Sequence, residues 1–268
     1  EGDFKPYLFK SSDRGRTWTS ISANLPEKTL VWRVVQDHVK PELMFAATEF
    51  GIYFTIDAGK KWTKWTHGIP TVPVQDLKIH PREHDLVIGT FGRAAFILDD
   101  IRPLRSMAQK PDLTKKAIVA FNPPLGVHAE YIQAAGTRFA ADAHFKGANR
   151  RSGAMMSYWA GDDAFTAEST KKKDTVKVDI FDMGGEHIRR LAFFPDSGLN
   201  RIYWDIKSKG VRNPRRAKPK KERLTEPGGA KVLNGTYKVL YTIGTHKDST
   251  FVNIVTDPRL PEAMVNLT

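Results

Sequence analysis

Two stretches of this chain repeat one another, and the repeat limits the fold more than any other feature. Ser11-Ser12-Asp13-Arg14-Gly15-Arg16-Thr17-Trp18 aligns with Thr55-Ile56-Asp57-Ala58-Gly59-Lys60-Lys61-Trp62, and the two aspartates lie 44 residues apart. A period of roughly 40–50 residues is that of one four-stranded propeller blade. The shared pattern, Ser/Thr-x-Asp-x-Gly-x-x-Trp, suits a tight hairpin turn. The carboxylate accepts backbone N–H groups and the glycine takes a positive φ. The Trp is expected to return on the next strand and pack inward.

Strand-like segments flank both turns. Tyr7-Leu8-Phe9 precedes the first and Ile52-Tyr53-Phe54 the second, with Val31 to Val35 and Leu43 to Thr48 between them. A third unit runs through Val74–Ile79, Asp85–Thr90 and Ala94–Asp100, where the Gly and Trp are missing and the repeat stops. The pattern predicts two to three four-stranded blades over residues 1–104.

The paired turns are identified as Asp-box (BNR) repeats. The segment resembles the last blades of bacterial sortilin-like (VPS10-type) and BNR-repeat glycosidase-like β-propellers. That resemblance places the Asp-box residues Ser11, Asp13, Gly15, Thr17, Trp18, Thr55, Asp57, Gly59 and Trp62 on the propeller rim as structural groups, so neither Asp13 nor Asp57 is nominated as catalytic. Thr90-Phe91-Gly92-Arg93 resembles the family's closing Thr-His-Gly-Arg with Phe91 in place of His, which marks Phe91 and Arg93 as candidate contacts on the axial face. A structural reading pairs Arg93 with Asp99 or Asp100 instead. Trp32, Phe50, Trp65 and Phe91 are read as core aromatics ahead of sugar-stacking ones.

Residues 105–144 carry Pro111, Pro123 and Pro124 with weak periodicity and read as a connector. Beyond them the period-two pattern returns. Ala154–Trp159, Val176–Asp182, Ile188–Leu191, Gly198–Asp205, Thr236–Ile243 and Phe251–Val255 are predicted strands, with Met183-Gly184-Gly185 turning a hairpin. Six short strands in just over 100 residues argue a β-sandwich over 145–258, followed by a tail at 259–268. The order of Ile-Phe-Asp, Gly-Leu-Asn-Arg and Gly-Thr-Tyr-Lys-Val motifs resembles the Ig-like module found after such propellers and in flagellar-hook-capping proteins. The fold class is therefore all-β, a partial propeller followed by an Ig-like sandwich.

Lys and Arg number 42 against 30 Asp and Glu, a net charge of +12. Nine of those cations, Lys207, Lys209, Arg212, Arg215, Arg216, Lys218, Lys220, Lys221 and Arg223, fall in one stretch with no aromatic residue. Nucleic-acid grooves interleave aromatics with their cations, so this stretch argues against a nucleic-acid partner and reads as a solvated loop or a docking loop for an acidic partner. There is no Cys, which excludes disulfides and thiolate chemistry, and no apolar run approaches the roughly 18 residues of a membrane span.

Catalytic and cofactor chemistry is not legible. His80 and His84 are four residues apart, but Pro81 and the strand context put them on a loop, away from any helical metal face. Asp99-Asp100 and Asp162-Asp163, taken as adjacent strand residues, point to opposite faces and make poor acid/base pairs. There is no Gly-x-Ser-x-Gly elbow and no phosphate-cradling Gly loop. The reading is a binding module that needs no cofactor or metal. The resemblance to bacterial BNR-repeat propellers implies an exported bacterial protein that presents a surface to glycan or peptide and could form part of a cell-surface assembly. Its partners are the remaining propeller blades, from the same protein or a cleaved half, and the chain is expected to be the C-terminal part of a longer protein. The alternative is a glycoside hydrolase whose acids lie in blades outside this chain.

Overall fold

The computed structural model describes residues 2–129, 150–165, 175–211 and 225–259. The chain is all-β apart from one short helix and two 3-10 turns among these residues. It divides into two compact units, residues 1–114 and 115–268.

The first unit is a succession of meanders. Strands β1 (Phe9–Lys10) and β2 (Thr19–Ser20) form a two-stranded ribbon. Strands β3 (Val31–Gln36), β4 (Met44–Thr48), β5 (Gly51–Thr55) and β6 (Thr63–Trp65) form a four-stranded sheet in sequence order, and β7 (Val74–Ile79), β8 (Leu86–Thr90) and β9 (Ala95–Leu98) a three-stranded one. Short hairpin connections between successive strands give this local, antiparallel order, as a blade requires. The two larger sheets share an irregularity. The first strand bulges between Val31 and Arg33 in one and between Val74 and Asp76 in the other. Side chains of both sheets meet in an apolar seam lined by Phe45, Ile52, Trp65, Ile69, Leu86, Ile88 and Leu98.

Where a fourth strand of the last sheet would begin, helix α1 (Arg102–Gln109) forms instead, with Pro103 in its first turn. Leu104, Met107 and Ala108 share its buried stripe. Arg105 is buried with them, and its guanidinium grips the buried Asp37 through Nη2–Oδ1 at 2.7 Å and Nε–Oδ2 at 2.9 Å. Asp37 also accepts the backbone N–H groups of Val39 and Lys40. The pair ties the helix to the turn after β3.

The second unit is a two-sheet sandwich. Strands β10 (Ile118–Ala120), β12 (Ala154–Ala160) and β15 (Gly198–Trp204) form one sheet in the order β10-β12-β15. The other has the order β11-β19-β18-β13-β14, built from β11 (Gly126–His128), β13 (Val176–Phe181), β14 (His187–Phe193), β18 (Gly235–Ile243) and β19 (His246–Thr256). The β11–β19 pair is parallel and the remaining pairs are antiparallel. Alternate residues face inward: Met156 and Tyr158 from β12, Val178 and Ile180 from β13, Tyr237, Val239 and Tyr241 from β18. Tyr158 and Tyr241 approach to 5.2 Å between ring centroids, and Trp204 meets Tyr237 edge-on at 5.4 Å. Gly153, at φ +108, enters β12 where a Cβ would lie 2.2 Å from the Trp204 carbonyl oxygen, so only glycine fits there.

Three expectations change. The stretch at 105–144, read as a connector, divides between the units: most of α1 ends the first, while β10 and β11 are sheet strands of the second. Each of those strands has three residues, too few to show a period. The start of the basic stretch is a strand too. Here β16 (Lys207–Lys209) pairs with β17 (Gly228–Lys231), because Gly210, Gly228 and Gly229 let the two backbones approach closely. Finally, Asp162-Asp163 sits on a 3-10 turn (Asp162–Ala164) and Asp99-Asp100 follows the end of β9, so neither pair is on a strand.

Candidate functional site

The two Asp turns adopt the same geometry residue by residue. Ser11 Oγ donates to Asp13 Oδ1 at 2.9 Å and accepts the Gly15 N–H at 2.7 Å; Thr55 Oγ1 donates to Asp57 Oδ1 at 2.7 Å and accepts the Gly59 N–H at 3.1 Å. The carboxylates also accept backbone N–H from Thr17 at 2.8 Å and from Lys61 at 2.9 Å. Arg14 and Ala58 take φ values of +60 and +61, and each is followed by a glycine at positive φ. Thr17 Oγ1 adds a bond to Asp13, and this side-chain bond, with the Thr17 N–H, holds the Asp13 pKa at about 2. Both carboxylates serve as acceptors for their own turns.

The Trp residues that follow differ. Trp62 is buried with Leu25, Met44, Ala46 and Tyr53. Trp18 is exposed and its indole N–H turns back to the Gly15 carbonyl at 3.1 Å. The expectation that both pack inward is therefore met by Trp62 alone. The segment 21–25 that covers Trp62 has no counterpart over Trp18 among the described residues.

Three other exposed aromatics of the first unit, Trp32, Phe50 and Phe91, lie on β3 and on two turns. Trp32 occupies the bulge of β3, opposite Ala47 and Thr48. A bulge re-aims its side chain, and the Trp32 ring is exposed instead of entering the core. Phe50 lies in the β4–β5 turn and Phe91 in the β8–β9 turn, and both are exposed. The two turns are anchored alike: the Glu49 N–H donates to Leu30 O at 3.2 Å and the Phe91 N–H to Pro73 O at 2.9 Å. Each bond joins the residue after a second strand to the residue before that sheet's first strand. Trp32, Phe50 and Phe91 thus lie at corresponding ends of successive sheets. The exposed Arg93 shares the Phe91 turn. Across the two first strands, Arg33 Nε lies 3.3 Å from Asp76 Oδ1, joining equivalent positions beside the two bulges. Reading Trp32, Phe50 and Phe91 as core was the error here; bulge and turn positions follow from pairing, which the residues alone do not reveal. Trp65 is half-buried in the seam.

The remaining candidates resolve into structural roles. Asp100 pairs with Arg102 at 2.5 Å. His80 Nδ1 accepts the Glu83 N–H, and His84 Nδ1 lies 2.9 Å from Arg105 Nη1, so the two imidazoles face different partners. No group of three or more His, Asp or Glu that could hold a metal occurs among the described residues. Lys209 Nζ is paired with Glu226 at 2.7 Å, and the Lys207 carbonyl accepts the Trp204 indole N–H at 2.9 Å. Arg212, Arg215, Arg216, Lys218, Lys220, Lys221 and Arg223 lie outside the described residues. Sequence reading missed the Arg105–Asp37 pair, whose members stand 68 residues apart with no local signal.

No protein-family model and no curated protein matches the chain. Among solved structures it aligns with the extracellular domain of BT4673 from B. thetaiotaomicron, described once as a one component system and once as a hybrid two component system. The first alignment covers 95% of this chain and 29% of that one at 12% identity with a TM-score of 0.27. The second covers 91% and 28% at 13% identity with a TM-score of 0.25. This chain spans less than a third of the length of those chains. No helix among the described residues is long and apolar enough to cross a membrane.

Proposed function

We propose that this chain is a non-catalytic interaction module of an exported bacterial protein, and that its bladed unit presents Trp32, Phe50 and Phe91, flanked by Arg93, to a glycan or peptide ligand. The observation that carries the reading is the exposure of three large aromatic rings at corresponding ends of successive sheets. Exposed aromatics that cluster mark binding surfaces, because their flat apolar faces gain most from being covered. Sugar rings and peptide side chains both stack on such faces, and Arg93 supplies a fixed donor for a carboxylate or carbonyl. Export follows from the resemblance of the Asp turns to those of bacterial BNR-repeat proteins, and the second unit serves as a β-sandwich appendage.

The test screens the full chain on glycan and peptide arrays, then measures the best hits by calorimetry with Trp32→Ala and Phe91→Ala. Both rings are more than half exposed, so both variants are expected to fold, and circular dichroism checks that they do. Each is expected to weaken binding at least tenfold. Array binding that survives both substitutions, or turnover of a bound glycan, overturns the reading.

A further inference from the structure

We propose that the outer face of the sandwich's five-stranded sheet docks an extended acidic peptide that carries two carboxylates four residues apart with an apolar residue midway between them. The strand register lays out the face. On β18, Lys238 and Thr242 lie on either side of the half-buried Leu240, and all three face away from the core. Lys177 of β13 and Lys247 of β19 stand opposite Thr242 on its two flanks. Lys177, Lys238 and Lys247 are exposed, and none of them has an ion-pair partner among the described residues.

The carboxylate on this face does not cancel the lysines. Asp179 of β13 stands opposite Leu240 but is already satisfied: Arg190 of β14 grips it through Nε–Oδ1 at 2.7 Å and Nη2–Oδ2 at 3.1 Å, and His187 Nε2 lies 3.0 Å from Oδ1. Four cations against one carboxylate leave the face positive, and the three lysines surround an apolar centre. Lysine presents a compact charge with no fork to match, so it suits carboxylates that arrive on flexible side chains. Phe251, opposite Lys238 and 53% exposed, adds apolar area at that end of the face.

The spacing selects an extended chain. A strand rises about 3.4 Å per residue, so Lys238 and Thr242 are separated by roughly 13 Å, the distance between residues i and i+4 of an extended peptide laid along β18. One carboxylate then meets Lys238, the other enters between Lys177 and Lys247, each about 5 Å to the side of Thr242, and the apolar side chain covers Leu240. In this chain the pattern occurs once, in Glu222-Arg223-Leu224-Thr225-Glu226. Its last two residues are already bonded along β14 and β16: Glu226 pairs with Lys209 and accepts the Arg190 N–H, and Thr225 Oγ1 accepts the Ala192 N–H. The occupant is therefore a segment of another protein. This inference does not rest on the aromatic ligand face, which belongs to the first unit.

The experiment titrates the full chain into a fluorescein-labelled peptide of Ser and Gly that carries two Glu four residues apart with Val midway, and reads anisotropy at about 50 mM salt, where surface charges are weakly screened. A permuted peptide of the same composition with its two Glu adjacent is expected to bind about fivefold more weakly. Lys238→Glu, and separately Lys177→Glu with Lys247→Glu, are each expected to weaken binding of the first peptide about fivefold or more. All three lysines are exposed, and circular dichroism checks that the variants fold. Absence of binding, or equal binding of the permuted peptide, overturns the proposal. So does an equal loss in Arg215→Glu with Arg216→Glu, which would make the attraction one of general charge. Binding to vesicles of phosphatidylserine and phosphatidylcholine that Lys238→Glu abolishes, with no binding of the peptide, makes a lipid surface the occupant and overturns it as well.

Discussion

Asn24 clamps Trp62 by both backbone groups, donating from Nδ2 to the Trp62 carbonyl at 2.8 Å and accepting the Trp62 N–H on Oδ1 at 2.7 Å. An amide is the smallest side chain that donates and accepts on one edge, so the contact is specific to Asn in a way that packing alone is not. The clamp links segments 38 residues apart and ties the first repeat to the second.

The clamp predicts an unusual substitution order. Asn24→Ala leaves a part-buried N–H and carbonyl without their partner and is expected to cost about 1–3 kcal/mol. Asn24→Asp retains the acceptor but sets a carboxylate oxygen against the Trp62 carbonyl, so it is expected to be no better than Ala despite its shape. Urea denaturation followed by tryptophan fluorescence gives the comparison. An Asp variant of wild-type stability would show that only the N–H arm matters.

The Arg105–Asp37 pair predicts an asymmetry. Both side chains are buried and the contact is two-pronged. Truncating Arg105→Ala strands a buried carboxylate and is expected to cost about 3–5 kcal/mol, whereas the double variant Asp37→Asn, Arg105→Met removes both charges and is expected to recover a large part of that loss. Thermal unfolding of the three proteins decides the point. If the double variant is less stable than Arg105→Ala, attraction outweighs the cost of desolvation at this site.

His84 gives a pH dependence. Burial, then the charges of Arg105 and Arg102, lower its pKa below the usual 6.5, and its Nδ1 faces the Arg105 guanidinium. The folded state thus keeps the imidazole neutral while the unfolded chain takes up a proton near 6.5. Its contribution is present above that pH and lost as pH falls toward the folded-state value. Stability is expected to decline between pH 7 and 5, and His84→Asn, which also tolerates the φ of +61, is expected to flatten the decline. An equal slope in the variant would assign the effect to other groups.

Legibility followed range. The Asp turns were readable because every bond in them lies within four residues, so Ser11, Asp13 and Gly15 carry the geometry by themselves. The sandwich strands were readable because apolar residues recur at every second position, Val176, Val178 and Ile180 in β13 and Tyr237, Val239, Tyr241 and Ile243 in β18, and all of these are buried. Helix α1 is only eight residues long, too short for its buried stripe to stand out as a period, and its Pro103 is tolerated because it lies in the first turn. Trp18 and Trp62 have the same local sequence and opposite burial, because burial is decided by what another segment brings. The exposed aromatics were misread for a related reason: a bulge such as that at Trp32 is a property of two paired strands.

The sandwich core supplies the last expectation. Tyr241 lies fully inside it, packed on Tyr158, and its hydroxyl has no hydrogen-bond partner among the described residues. Burial pushes the phenol pKa far up, so the group stays neutral at any working pH. A buried hydroxyl without a partner carries its desolvation cost with no return, while the ring contributes the packing. Tyr241→Phe removes the hydroxyl and keeps the ring, and is expected to leave stability unchanged or raise it by about 1 kcal/mol. The other member of the pair is the control: Tyr158→Ala opens a cavity in the same place and is expected to cost about 3–5 kcal/mol. Chemical denaturation of the two variants measures both. A clear loss in Tyr241→Phe would mean that the hydroxyl is satisfied in solution, with water between β12 and β18 as the partner to look for.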